Sequence, residues 1–107
     1  MTVKQISALE LQAKLNQNEN LCLLDVRELN EYEYTHISDS KLIPLRQIPS
    51  RLNELNIEDE IIVICHHGMR SQQAAEFLFQ EGFNNISNLS GGIDAWSCQC
   101  DPTIRRY

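Results

Sequence analysis

Ile61-Ile62-Val63-Ile64-Cys65-His66-His67-Gly68-Met69-Arg70-Ser71 is the stretch that decides how this chain is built. Its first four residues are all β-branched, and such side chains lose least by packing on a pleated, covered surface. They predict a strand covered on both faces, the kind found in parallel sheets. Past Ser71 the pattern changes. Ala74, Ala75, Leu78 and Phe79 recur at helical spacing, predicting a helix over 71–81, and Gly82 follows where a left-handed cap is expected. The strand therefore passes into the helix through a short loop that begins with a cysteine.

Working outward, apolar segments of strand and helix length alternate, as in an α/β sheet. Val3–Ile6 reads as a short strand, and Ser7-Ala8-Leu9-Glu10 fits a capping box opening a helix to about Asn16, with Leu9, Leu11 and Leu15 near its inner face. Leu21–Val26 is a second covered strand, 28–34 a short polar helix, and Leu42-Ile43-Pro44 a brief strand ended by its proline. Pro49 is expected to open a helix through Leu55. Ile86–Leu89 is the last strand and 93–97 a final helical turn. The fold class expected is α/β: one domain over 1–107, core about 3–97 and tail 98–107, with a mostly parallel sheet of about five strands and helices on both faces.

Composition narrows the function. The chain has 107 residues, nine basic against fifteen acidic, net −6. That balance opposes general binding to nucleic acid or anionic membrane, which needs clustered positive charge. The longest apolar run, Ile61–Cys65, is far too short to cross a bilayer, and Met1-Thr2-Val3-Lys4-Gln5 lacks the apolar stretch of a signal peptide. A cytoplasmic protein is expected. Its four cysteines, at 22, 65, 98 and 100, then read as reduced thiols rather than a disulfide framework.

Cys65 stands where ligands of open α/β sheets bind, beyond a strand's carboxyl end and beside a helix N-terminus. The unsatisfied first-turn N–H groups, the helix dipole and the cationic side chain of Arg70 all favour an anion there, and the thiolate is the nucleophilic form of cysteine. Gly68 allows the loop N–H groups to turn inward as an anion nest. A cysteine in this position is otherwise simply a buried small hydrophobe. The His, His, Gly and Arg around it favour the reactive reading.

These residues resemble the rhodanese-like family. Asp25-Val26-Arg27-Glu28, Glu31-Tyr32 and His36-Ile37 resemble its first block; Cys65-x-x-Gly68-x-Arg70-Ser71 resembles its active-site loop. Gly82-Phe83, Leu89 and Gly91-Gly92-Ile93-x-Ala95-Trp96 resemble its closing segment. The family usually has glycine where Thr35 stands. The resemblance implies sulfur transfer by double displacement. Cys65 would carry a persulfide, and His66, His67, Gly68, Met69, Arg70 and Ser71 would form the substrate cradle, with Arg70 available to an anionic donor such as thiosulfate. It implies no cofactor. Acceptors would be cyanide, a thiol or a sulfur-carrier protein; the latter is suggested by a tail similar to rhodanese domains fused to enzymes that activate such carriers.

Four residues separate Cys65 from Arg70. Phosphatases and arsenate reductases of related fold have five, so the shorter loop favours sulfur, and no aspartate lies near the loop in sequence. Asp25 and Arg27 read as a bracing charged pair, His36 as a hydrogen-bonded structural histidine, and Cys22 as core. Arg46 is a candidate for the pocket rim. His66 and His67 would need Cys98, Cys100 or His36 to complete a metal site, at no standard spacing, so no metal is expected. The alternatives are a noncatalytic module and a redox thiol module pairing Cys65 with Cys98 or Cys100.

Overall fold

The computed structural model describes residues 3–17 and 20–107; Met1 and Thr2, used above in reading the N-terminus, lie outside it, as do residues 18 and 19. The chain runs β1 (Lys4–Ile6), α1 (Ala8–Asn16), β2 (Leu21–Asp25), α2 (Leu29–Tyr34), β3 (Lys41–Leu42), β4 (Glu60–Ile64), α3 (Met69–Gln80), β5 (Ile86–Leu89) and α4 (Gly92–Gln99). The five strands form one sheet in the order β1-β5-β4-β2-β3. Every pairing in it is parallel, including β2 with β4 from Leu21↔Glu60 to Asp25↔Ile64.

Alternation along the strands divides the core in two. On one face Leu24, Val26, Ile61, Val63 and Cys65 pack under Ala74, Ala75 and Leu78 of α3. On the other, Leu23, Ile62, Ile64 and Leu89 pack under Leu11 of α1 and Ile93 and Trp96 of α4. Each fully buried Leu or Ile contributes roughly 1.5–3 kcal/mol, so β4, which sends side chains to both layers, is the strand the fold can least spare. Ser7 and Glu10 complete the expected capping box, Ser7 Oγ accepting from the Glu10 N–H and Glu10 Oε1 from the Ser7 N–H.

Two local expectations fail. Leu9 is 56 % exposed, because the inner face of α1 is set by Ala8 and Leu11. No α-helix follows Pro49; two 3₁₀ turns, Leu45–Gln47 and Leu52–Glu54, flank it, with Ile48 buried between them and Arg51 at φ −123°, ψ 20° breaking the helical path. The tail packs on the body: Ile104 is buried in the α1/α4 layer, its carbonyl accepting from Ser97 Oγ at 2.6 Å. Cys22 is half-buried against the α3 layer. No helix among the described residues is long and apolar enough to cross a membrane.

Strand order locates the site. β2 leads to β3 on one side of the sheet and β4 leads to β5 on the other, so the carboxyl ends of β2 and β4 flank the point where the winding reverses. Asp25–Arg27 and Cys65 sit at these two ends.

Candidate active site

The helix after Cys65 begins earlier than its apolar face indicates, at Met69, because Gly68 takes the N-cap place at φ +107°. Met69 and Arg70 thus lie in the first turn of α3, whose N–H groups have no intrahelical partners. The Gly68 N–H donates to Cys65 Sγ at 3.0 Å. Ser71 Oγ lies 3.2 Å from the same sulfur and donates to Asn88 Oδ1. A pocket of about 280 Å³ opens over the loop, lined by Cys65, His66, His67, Met69 and Arg70. Cys65 forms its buried floor, while the Met69 side chain stands 80 % exposed at its mouth. The loop residues singled out in the sequence are thus together: five line the pocket, and Gly68 and Ser71 support the sulfur from beneath.

The start of the loop is held from behind by α4. The N–H groups of Ile93 and Asp94 donate to the carbonyls of Cys65 and His66 at 2.8 and 3.2 Å. This contact requires glycine: a Cβ on Gly92, at φ +61°, would lie 2.4–2.5 Å from His66 and Cys65 backbone atoms.

Arg70 does not point free into the pocket. Its Nη1 and Nη2 donate to Glu31 Oε1 and Oε2 at 2.7 and 2.9 Å. The guanidinium holds the Glu31 carboxyl down at about 2 against the opposing effect of burial, and the carboxylate in turn raises the pKa of Arg70. Tyr107 joins this pair: its hydroxyl donates to Glu31 Oε2 at 2.7 Å and accepts from Arg27 Nη1 at 2.9 Å. Burial, first among its causes, pushes the Tyr107 phenol up to about 12. The ring of Tyr107 stacks on His66 at 3.9 Å, and His66 stacks on His67 at 3.9 Å. Burial, and next the neighbouring His67, lower the pKa of His66.

Asp25 and Arg27 form the bracing pair expected of them. Both are fully buried, with Arg27 Nη2 2.7 Å from Asp25 Oδ2. Arg27 Nη2 also donates to the Thr35 carbonyl at 2.7 Å. Thr35 is extended, at φ −164°, so the position needs no glycine. His36 is exposed, its Nδ1 2.8 Å from the Tyr32 carbonyl and its ring stacked on Tyr32. Arg46 pairs with Glu28 at 3.4 Å and does not line the pocket. Cys98 is exposed and Cys100 Sγ donates to the Ala8 carbonyl at 3.3 Å; neither lines the pocket.

Asn88 and Tyr107 were missed as site residues. A signal existed for Asn88, which is a polar residue inside an apolar strand. Its amide is fully engaged, accepting from Ser71 and donating to the Gly68 carbonyl at 3.2 Å and to Gln5 Oε1 at 3.0 Å. Tyr107 carries no local signal.

Known proteins are similar to this chain in sequence and fold. The family model described as Rhodanese-like domain matches residues 7–99. A protein of Allochromatium vinosum named Sulfurtransferase is 34% identical over 102 residues, covering 95% of this chain and 95% of its own. Thiosulfate sulfurtransferase GlpE of Actinobacillus pleuropneumoniae serotype 3 is 35% identical over 94 residues, covering 88% and 87%. The putative sulfur carrier protein YrkF of Bacillus subtilis is 41% identical over 96 residues, which is 90% of this chain but only 52% of that protein. The chain thus spans about half the length of that relative. Among solved structures, a rhodanese-like domain protein of Staphylococcus aureus superposes with TM-score 0.86 at 31% identity, covering 98% of this chain and 99% of its own. With a matching family model over most of its length and a parallel sheet that places a cysteine loop between strand and helix, the chain belongs to the rhodanese-like domain family.

Proposed function

We propose that the protein is a sulfurtransferase that carries sulfane sulfur as a persulfide on Cys65. The observation that carries this reading is the seat of Cys65 Sγ: it receives the Gly68 N–H at 3.0 Å, in front of the first turn of α3 and at the floor of an open pocket. A donor N–H and a helix N-terminus stabilise charge on sulfur. The names of relatives similar over most of their length, a sulfurtransferase and a thiosulfate sulfurtransferase, support the same class.

In the first half-reaction the Cys65 thiolate attacks the outer sulfur of thiosulfate. The new bond is Cys65 Sγ–S, the bond broken is sulfur to sulfite, and sulfite leaves with its electron pair. In the second, cyanide or an acceptor thiolate attacks the outer sulfur of the persulfide and Cys65 leaves as thiolate. Both are exchanges at divalent sulfur, governed by access and by the leaving group. No electrons are gained or lost overall and no cofactor is needed. The cradle consists chiefly of backbone N–H groups from Gly68 into α3, because Arg70 is already occupied by Glu31. A thiol or sulfur-carrier protein is the acceptor class proposed for the cell.

The test is an intact mass after incubation of reduced protein with thiosulfate and removal of small molecules. One added sulfur atom on wild type, removed by cyanide as thiocyanate and absent from Cys65→Ser, is the expected result. Failure of both thiosulfate and a low-molecular-weight persulfide to load wild type would refute the proposal.

A further inference from the structure

Beside the Cys65 pocket three side chains converge that sulfur transfer leaves without a task. His66 and His67 follow Cys65 directly, and Asp94 lies in the first turn of α4, tied to the loop by its N–H on the His66 carbonyl at 3.2 Å. One ring nitrogen from each histidine and one carboxylate oxygen of Asp94 all lie within 4.8 Å of one another. His67 Nε2 stands 3.9 Å from Asp94 Oδ2, too far for a hydrogen bond. His66 Nε2 is buried with no hydrogen-bond partner. A buried polar atom left unpaired costs ~1–3 kcal/mol, so its presence calls for an explanation.

We infer that His66, His67 and Asp94 form a binding site for a divalent transition-metal cation of the zinc type. Two imidazoles and one carboxylate are ligands suited to zinc, and three protein ligands leave a fourth position open. Sequence spacing concealed the set, because it directed attention to Cys98, Cys100 and His36, whereas the fold delivers Asp94 from the next helix.

The geometry is close to closed. Ligand bonds of ~2.0–2.2 Å bring the donor atoms of a tetrahedral site nearer than they now stand. The contraction falls on His67, whose side chain is 64 % exposed and held on one side by its stacking on His66. The other two ligands are already oriented. Tyr107 lies flat on the His66 ring, 8° from parallel. Arg106 Nε donates to Asp94 Oδ1 at 2.8 Å, which turns Oδ2 toward His67. Outer groups of this kind fix ligand direction in metal sites. The weaker contact, Arg106 Nη2 to Oδ2 at 3.2 Å, is the one an ion displaces.

The test uses zinc ion itself, titrated into the reduced full chain by calorimetry, with native mass spectrometry for stoichiometry. The expected result is one zinc per chain. His67→Gln and Asp94→Asn should each weaken binding tenfold or more, while Cys98→Ser/Cys100→Ser changes it less than twofold. His67→Gln alters an exposed side chain, so it carries the test even if Asp94→Asn disturbs α4. No zinc uptake, affinity unchanged by His67→Gln, or affinity lost with the two tail cysteines would each overturn the assignment. None of these outcomes depends on whether Cys65 transfers sulfur.

Discussion

Glu31 and Arg70 are 39 residues apart in the chain and meet through two parallel hydrogen bonds of 2.7 and 2.9 Å at the pocket rim. The pair neutralises the arginine that lines the Cys65 pocket. A dianionic donor therefore meets an arginine whose charge is already countered by a carboxylate and which has given one N–H from each terminal nitrogen to it. Glu31→Gln releases that charge, and the KM for thiosulfate in a thiocyanate-release assay should fall about threefold or more, equivalent to ~0.7 kcal/mol. An unchanged or higher KM would show that Arg70 does not reach the donor.

The same pair makes stability depend on acid. The Glu31 carboxyl is lowered from 4.5 to about 2 in the folded chain. A depressed carboxylate contributes stability that is present above its unfolded value and lost as pH falls through the folded one. The contribution is therefore intact above about 4.5 and gone near 2. Discounted for a partly exposed pair, it amounts to about 1 kcal/mol. Urea unfolding at pH 6 should show wild type more stable than Glu31→Gln by that amount, with the gap narrowing at pH 3. A gap of constant size would place the stabilisation elsewhere.

Gly92 is where α4 touches the loop backbone. Gly92→Ala adds a Cβ at 2.4–2.5 Å from His66 and Cys65 backbone atoms, at a φ of +61° that side chains rarely adopt. We expect destabilisation of about 3 kcal/mol or more, and loss of persulfide loading because Cys65 is displaced. A variant with wild-type melting behaviour would mean that the two segments separate readily.

Ser71 links Cys65 to the strand behind it. Ser71→Ala removes the hydroxyl 3.2 Å from the sulfur and leaves the Asn88 carbonyl oxygen without its donor. The expected stability cost is ~1–3 kcal/mol. Sulfur loading, followed by stopped-flow mass analysis, should slow by about tenfold, the equivalent of ~1.4 kcal/mol in barrier. Equal loading rates would show that the Gly68 N–H alone suffices.

Asp25→Asn leaves the buried Arg27 without its counter-charge. Breaking a buried pair from one side costs ~3–5 kcal/mol. Chemical unfolding should register that loss, and Arg27→Met combined with Asp25→Asn should recover part of it. No loss in the single variant would show that Tyr107 and Thr35 satisfy Arg27 unaided.

What could be read from the sequence was whatever depends on neighbours along the chain. The β-branched run of β4, the capping box at Ser7 and the glycines at 68 and 82 announce themselves within a few residues, because dihedral preference and alternation are local. The loop from Cys65 to Ser71 was legible for the same reason: nucleophile, turn and helix start are contiguous. What escaped depends on contacts across the fold. Glu31 reaches Arg70 only because β2 and β4 are adjacent, and Asp94 reaches the two histidines only because α4 starts against the loop. Tyr107 arrives because the tail, anchored by the buried Ile104, crosses back over the site. The failure at Pro49 has another cause. A proline suits a helix start, yet Arg51 leaves the helical path at φ −123°, ψ 20°, so only a 3₁₀ turn follows.

The pairing of β1 with β5 also orders events in time. Lys4, Gln5 and Ile6 align with Ser87, Asn88 and Leu89, so among the described residues β1 pairs with the strand farthest from it along the chain. Pairings this distant in sequence close late, because loop-closure entropy must be met before their contacts form. Gln5 then accepts from the Asn88 amide that also holds the Gly68 carbonyl. The cysteine loop therefore precedes its support, and the thiol acquires its finished surroundings only when β1 closes against β5.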